Sequence, residues 1–273
     1  MTALLIGADP EVLLFNSKAG KYIPALRLFG GTKGNPRWLT DEVNIQEDGV
    51  AAELGFVPAI DMVEFVKRVN KGVGLLTKLA HGHGLELRYV SEAEYDPEDL
   101  NYPELQQAGC SSDFNIHLMV KNQAPDISLS PMRYAGGHIH LGHPTLVSET
   151  ERQLRTIQAL DIMLGLLEYI VVPSSGRRKF YGRAGDYRPK PYGIEYRTPS
   201  NWWLEKNEYI KTVYMSAKLA FSRPNEILNV IPPSAAQSII NGGEPYGTET
   251  RPYAISALKQ AHRSLDYRCP IKY

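Results

Sequence analysis

Ala135-Gly136-Gly137-His138-Ile139-His140-Leu141-Gly142 is the stretch on which the reading of this chain turns. In an extended segment, side chains two residues apart project to the same side, so His138 and His140 share a face. Glycines flank the pair where a large side chain would hold off a ligand or a neighbouring backbone. Imidazoles set this way can bind a metal or a phosphate–metal complex, or can simply be hydrogen-bonded inside a core. The neighbouring segments bear on the choice.

Upstream, residues 3–6 and 11–15 are apolar runs around Gly7-Ala8-Asp9-Pro10-Glu11, and the proline predicts a strand broken by a turn or bulge. Residues 50–57 predict a second strand whose one charge is Glu53, and Leu85 to Val90 a third. Asp113 to Leu118 alternates like a half-buried strand, with Asp113, Asn115 and His117 on one face. Downstream, a basic loop from Arg177 carries Arg183, Arg188 and Lys190. It runs into a strand on which Glu195 and Arg197 point the same way. The loop reads as a lid, and the His138–His140 strand as the floor beneath it.

Helical segments lie between. Asp61 and Glu64 form a capping box ahead of a stripe through Phe65, Val66, Val69, Val73 and Leu76, ending near His81-Gly82-His83-Gly84. Those two histidines suit the negative end of a helix. Ser148 and Glu151 form a second box, followed by Leu154, Ile157, Leu160, Leu164, Leu167 and Val171 as a packing face stopped by Pro173. A third helix carries Ile210, Val213, Tyr214, Ala217 and Phe221, and a short one is expected near 253–266. Segment 91–112 is acidic and reads as a solvated loop. Gly30 to Pro36 lacks the spacing of a phosphate loop and reads as a turn, with Lys33 kept as a phosphate contact.

Lys plus Arg equals Asp plus Glu at 30 each, so no global field draws the chain to nucleic acid or membrane, and whole-DNA binding is not expected. Only Cys110 and Cys269 are present, which argues against a disulfide framework and for a reducing cytoplasm. The sequence begins with neither a basic leader nor a long apolar run, and no stretch is long enough for a membrane span. No repeat or linker divides residues 1–273, so a single domain is expected, and a homo-oligomer is left open.

Glu11 (with Asp9 as a further candidate), Glu53, His138, His140, Glu195 and Arg197 each fall mid-strand among apolar neighbours. Burying one such charge alone costs several kcal/mol, so the set implies convergence, carboxylates on cations and basic groups on anions. Three carboxylates with a histidine suit Mg²⁺ or Mn²⁺ better than zinc. Arg183, Arg188, Lys190 and Arg197 can clamp phosphates, and a cation bridging to them gives a nucleoside triphosphate site. The plainer alternative is an internal ion-pair network, Glu195 with Arg197 or Arg183.

Gly7-Ala8-Asp9-Pro10-Glu11, the Glu53 strand, Gly109-Cys110 before Asp113-Phe114-Asn115, the Gly137–Gly142 strand and Tyr192-Gly193-Ile194-Glu195-Tyr196-Arg197-Thr198-Pro199-Ser200-Asn201-Trp202-Trp203 follow one another in order. Together they resemble the phage carboxylate–amine ligases, relatives of glutamate–cysteine ligase and glutamine synthetase. The resemblance covers about residues 5–205 and leaves 206–273 as an extension without a motif. It implies an α+β fold, a curved and mostly antiparallel sheet flanked by helices, with ATP and metal on the concave face. It assigns metal binding to Glu11, Glu53, His138 and Glu195, and places His140 near ATP. It puts Arg197 beside the transferred phosphate, makes Arg183 a second phosphate ligand, and casts Arg183, Arg197 and Glu53 as the catalytic groups. The first strand departs from relatives that carry several acids there, since Pro10 separates Asp9 from Glu11.

The implied reaction has two steps. A substrate carboxylate attacks the γ-phosphate of ATP, and an amine then displaces phosphate from the acyl phosphate. A carboxylate or His117 could take the amine's proton. Trp202, Trp203, Tyr187 and Tyr192 could wall the site, though core packing accounts for them as well. The expected partners are a small carboxylate and a small amine, such as an amino acid, a peptide or a modified nucleobase, in the host cytoplasm if phage-encoded. A phosphotransferase of guanidino-kinase type, an idle binding module and a zinc hydrolase are the competing readings.

Overall fold

Six strands with one apolar and one polar edge build the centre of the molecule. They are β1 (Leu5–Asn16), β2 (Val43–Asp48), β3 (Ala51–Phe56), β4 (Gly137–Gly142), β5 (Asp186–Lys190) and β6 (Gly193–Tyr196). The computed structural model describes residues 2–106, 114–123, 126–127, 130–172 and 176–272. The strands lie in the order β2-β3-β1-β4-β6-β5 within one large open sheet whose ladders are all antiparallel. Arg37–Trp38 extends it beyond β2, and Phe114–Asn115 then Val120–Lys121 extend it beyond β5.

Register decides what each face carries, because residues directly opposite in a ladder share a face. Glu53 stands opposite both Gln46 and Glu11; Asp9 opposes His138; Glu195 opposes both His140 and Arg188. The other face presents Ile6, Ala8, Val12, Leu14, Ile45, Leu54, Ile139, Leu141, Ile194 and Tyr196, all buried. Each large aliphatic side chain there contributes about 1.5–3 kcal/mol by leaving water. One face is core and the other is chemistry.

Helices cover the apolar face. Helix α1 (Met62–Gly82) starts where expected, with the Asp61 carboxylate accepting the Glu64 N–H at 2.8 Å, and buries Phe65, Val69 and Leu76. Helices α2 (Thr150–Leu160) and α3 (Leu166–Val171) are joined by a π-turn over Asp161–Gly165. Helix α4 (Asn207–Ser222) buries Ile210, Val213, Tyr214 and Ala217 against the same core. The C-terminal part holds two longer helices, α5 (Pro233–Ile240) and α6 (Thr250–Ser264), where the sequence predicts one. No helix among the described residues is long and apolar enough to cross a membrane.

Several expectations need correction. Pro10 neither turns nor bulges β1, which runs unbroken for 12 residues. The Glu11 N–H bonds Gly136 O at 2.9 Å, so the neighbouring Pro10 points its missing donor to the opposite edge, just before the β1–β3 ladder begins at Glu11. Ser148 does not cap α2: Glu149 is the N-cap residue, and the Ser148 hydroxyl donates to Pro144 O. The strand expected over 113–118 shrinks to Phe114–Asn115, because His117 turns away to meet Asp161 at 2.7 Å. The basic segment is no lid. Residues 186–190 form β5, an inner strand, so Arg188 and Lys190 stand on the sheet itself. Cys110, Asp113 and Pro173 lie outside the described residues.

Candidate active site

A cleft of about 180 Å³ opens on the polar face, lined at one end by acids from β1, β2 and β3 and at the other by bases from β5 and from Arg197 just after β6. At the acidic end Glu11, Asp48 and Glu53 bring one oxygen each within 4.8 Å of one another. Neutral donors fix how they point. Glu11 Oε2 accepts the Gly136 N–H at 2.6 Å and the Tyr181 hydroxyl at 3.2 Å, while Glu53 Oε1 accepts from Gln46 Nε2 at 2.7 Å. Glu11 and Glu53 thus each have one oxygen held by neutral donors. Lys33 reaches over the rim to within 3.6 Å of Asp48.

A second group, Asp9, His140 and Glu195, likewise brings one ligand atom each within 4.8 Å of the others. His140 Nε2 stands 2.9 Å from Asp9 Oδ2, and His138 Nδ1 lies 3.3 Å from Asp9 Oδ1 and 3.7 Å from Glu195 Oε1. Around the fully buried Glu195 stand Lys190 at 2.6 Å, Arg188 at 3.1 Å and Arg197 in direct contact. Arg197 is set by the chain that follows β6. The buried Arg177 guanidinium gathers the carbonyls of Arg197, Thr198 and Pro199 at 2.6 to 3.1 Å and stacks on Tyr181.

The electrostatics divide the cleft. Burial, reinforced by Asp48, pushes the Glu11 carboxyl up to about 7. Burial together with Asp9, Asp48 and Glu11 drives Glu53 well above the usual carboxylate range. The other group behaves oppositely. Burial and Asp9 would raise Glu195, but Arg197, His138 and His140 outweigh them and hold it at about 2. Burial would also raise Asp9, yet His140 and hydrogen bonds from both histidines keep it well below normal. Burial and Arg197 press His138 down to about 4, whereas Asp9 outweighs burial at His140 and raises it.

These residues fit a divalent cation. The acidic end has more negative charge than its neighbours neutralise, and its donors are hard oxygens. His138 Nε2 is buried with no hydrogen-bond partner among the described residues.

Of the residues expected from sequence, Glu11, Glu53, His138, Glu195, Arg188, Lys190, Arg197 and Lys33 line the cleft. His140 borders it through Asp9. Arg183 does not line it: its backbone N–H and guanidinium both turn to Asp186, at 2.8 and 3.6 Å. His117 is on the wrong side of the sheet for a proton acceptor, since its partner Asp161 also accepts from Tyr196 on the apolar face. Trp202 and Trp203 are core, and Trp203 donates to Gly137 O at 3.1 Å. A Cβ on Gly137 would lie 2.3 Å from Ser200 O, so that glycine serves a neighbouring backbone and no ligand. Sequence reading missed Asp48 and Gln46. The signal was Asp48-Gly49, a hairpin dipeptide, between Val43-Asn44-Ile45-Gln46 and the Glu53 strand.

The family described as "Phage phiEco32-like COOH.NH2 ligase-type 2" matches residues 127–239, somewhat under half of the chain. The match takes in the His138–His140 strand and the segment from Glu195 to Trp203, and it supports the resemblance read from sequence. No curated protein matches the sequence. Among solved structures, apo GmaS without ligand is similar over 96% of this chain and 65% of its own, just under two thirds, at 12% identity and a TM-score of 0.44. A GmaS/ADP complex is similar over 97% of this chain and 69% of its own, at 10% identity and a TM-score of 0.37.

Proposed function

We propose that the cleft is the active site of an ATP-dependent carboxylate–amine ligase. One observation carries this reading: two groups of oxygen-rich cation ligands lie side by side on one sheet face, beside Arg188, Lys190 and Arg197. A lone cation site would serve many reactions. Two of them flanked by a basic wall suit a polyphosphate whose terminal phosphoryl group is transferred.

Glu11, Asp48 and Glu53 would hold one Mg²⁺ or Mn²⁺, and Asp9, His140 and Glu195 another. Bound there, the ions would neutralise phosphate charge and polarise the group in transfer. Arg197 is buried on the cleft wall and held against Glu195, so its charge is fixed in place before any ligand arrives. Arg188 and Lys190 add charge along the same wall, and Lys33 can reach a phosphate from the rim. His138, neutral at physiological pH, can donate a hydrogen bond or ligate without adding charge. A substrate carboxylate oxygen would bond to the γ-phosphorus as ADP leaves. The amine nitrogen would then bond to the acyl carbon as inorganic phosphate leaves, taking up the proton that the nitrogen gives up. Arg183, turned toward Asp186, has no part in this scheme.

The test is a screen of carboxylic acids with ATP, Mg²⁺ and hydroxylamine as a general amine. An acyl phosphate is trapped as a hydroxamate, with ADP and phosphate formed in equal amounts. A stable phosphorylated product with no hydroxamate would show a phosphotransferase instead.

A further inference from the structure

Tyr192 sits in the two-residue connection between Lys190 of β5 and Gly193 of β6, which face each other across the ladder. Gly193 has φ +150°, and a Cβ there would meet Leu141 O at 2.1 Å, so only glycine lets this connection lie so close to β4. The Tyr192 carbonyl accepts the His143 N–H at 2.9 Å. With its backbone fixed at both points, the phenol lies beside the His140 imidazole, ring centroids 6.0 Å apart and planes 26° from parallel. Its hydroxyl is 2.5 Å from His140 Nδ1, which leaves Nε2 facing Asp9.

We propose that Tyr192 is a positioning residue for the Asp9–His140–Glu195 group, its hydroxyl accepting the Nδ1 proton so that the Nε2 lone pair faces the cation. The inference rests on the reading of the cleft as a cation site. A neutral imidazole carries one ring proton. When Nε2 holds it, that N–H points at Asp9 and Nδ1 accepts from the phenol O–H. When Nδ1 holds it, the phenol oxygen accepts and Nε2 is free to ligate. A hydroxyl can reverse its role by rotating, so Tyr192 supports both forms, and phenylalanine supports neither. Tyr192 is 44% exposed, so removing its oxygen opens no cavity in the core.

The test titrates Mn²⁺ into nucleotide-free wild type, Tyr192→Phe, His140→Ala and the double variant. Tyr192→Phe should weaken one of two binding classes by about 10–100-fold, with an unchanged Tm and no further loss in the His140→Ala background. With Mg²⁺ present, nitrogen-15 spectra should show His140 as the Nδ1–H tautomer in wild type and as a mixture in Tyr192→Phe. Wild-type Mn²⁺ affinity in Tyr192→Phe, or the same loss with and without His140, would overturn the role of Tyr192 alone. A wild-type protein that binds no Mn²⁺ would overturn the cation site and this role with it.

Discussion

At the scale of single residues, the cleft holds acids in opposite electrostatic states, and Glu11 shows what that does to stability. An acid whose carboxyl is raised by folding binds its proton more tightly folded than unfolded. It therefore stabilises the chain at low pH, and that contribution is lost as pH rises from its ordinary 4.5 through about 7. Glu11→Gln keeps the acceptor for Gly136 and Tyr181 but cannot ionise. In cation-free protein its stability relative to wild type should rise between pH 4.5 and 7 and level off above, by on the order of 1–3 kcal/mol. Denaturant melts at a series of pH values measure this, and a difference flat with pH would contradict it. The comparison with wild type matters, because His138, depressed from 6.5 to about 4, loses its contribution in the other direction as pH falls. Most of these residues were legible in sequence, since Glu11, Glu53, Glu195 and Arg197 are charges among apolar neighbours. What sequence could not give was their grouping. Glu11 joins Asp48 and Glu53, whereas His140 joins Asp9 and Glu195, and that follows from ladder register.

At the scale of elements, the site depends on how strands and connections are fixed. Gly193→Ala forces a Cβ into Leu141 O and should cost about 2–3 kcal/mol through strain and a splayed β4–β6 ladder. Equilibrium unfolding reads the cost. Arg177 supports the other end of β6 by binding three successive carbonyls from within the protein. Arg177→Met takes the guanidinium from the Arg197 and Thr198 carbonyls, while Pro199 O keeps the Gly137 N–H, and should destabilise by about 3 kcal/mol. If its role is to place Arg197, the variant should also lose nucleotide affinity at temperatures where it remains folded. The β1, β3, β4, β6 and α1 segments were readable because periodicity and capping agreed there. β5 was misread because Arg188-Pro189-Lys190 has the composition of a loop, and only its pairing with β6 makes it a strand. The Ser148 box failed for a related reason: α2 begins from a preceding helical turn at Thr145–Ser148, which already commits the Ser148 hydroxyl to Pro144.

At the scale of the molecule, a chain with equal acidic and basic counts gathers nine charged side chains around one cleft on a single sheet face. The helices on the other face make that possible, since the apolar burial they share offsets the desolvation of the polar set. Cations bound among Glu11, Asp48 and Glu53 would offset the repulsion that raises the Glu11 and Glu53 carboxyls in the folded molecule. Mg²⁺ or Mn²⁺ at a hundredfold excess over its Kd should therefore stabilise it by about 2.7 kcal/mol, seen as a rise in Tm. Glu53→Gln should remove most of that rise. The most direct measurement is calorimetric titration of a non-hydrolysable ATP analogue into wild type and Glu53→Gln, each with Mg²⁺ and with a chelator. Binding to wild type that needs Mg²⁺ and is lost in Glu53→Gln is the predicted result. Binding that is equally tight with chelator, or unchanged by Glu53→Gln, would contradict the assignment of this cleft.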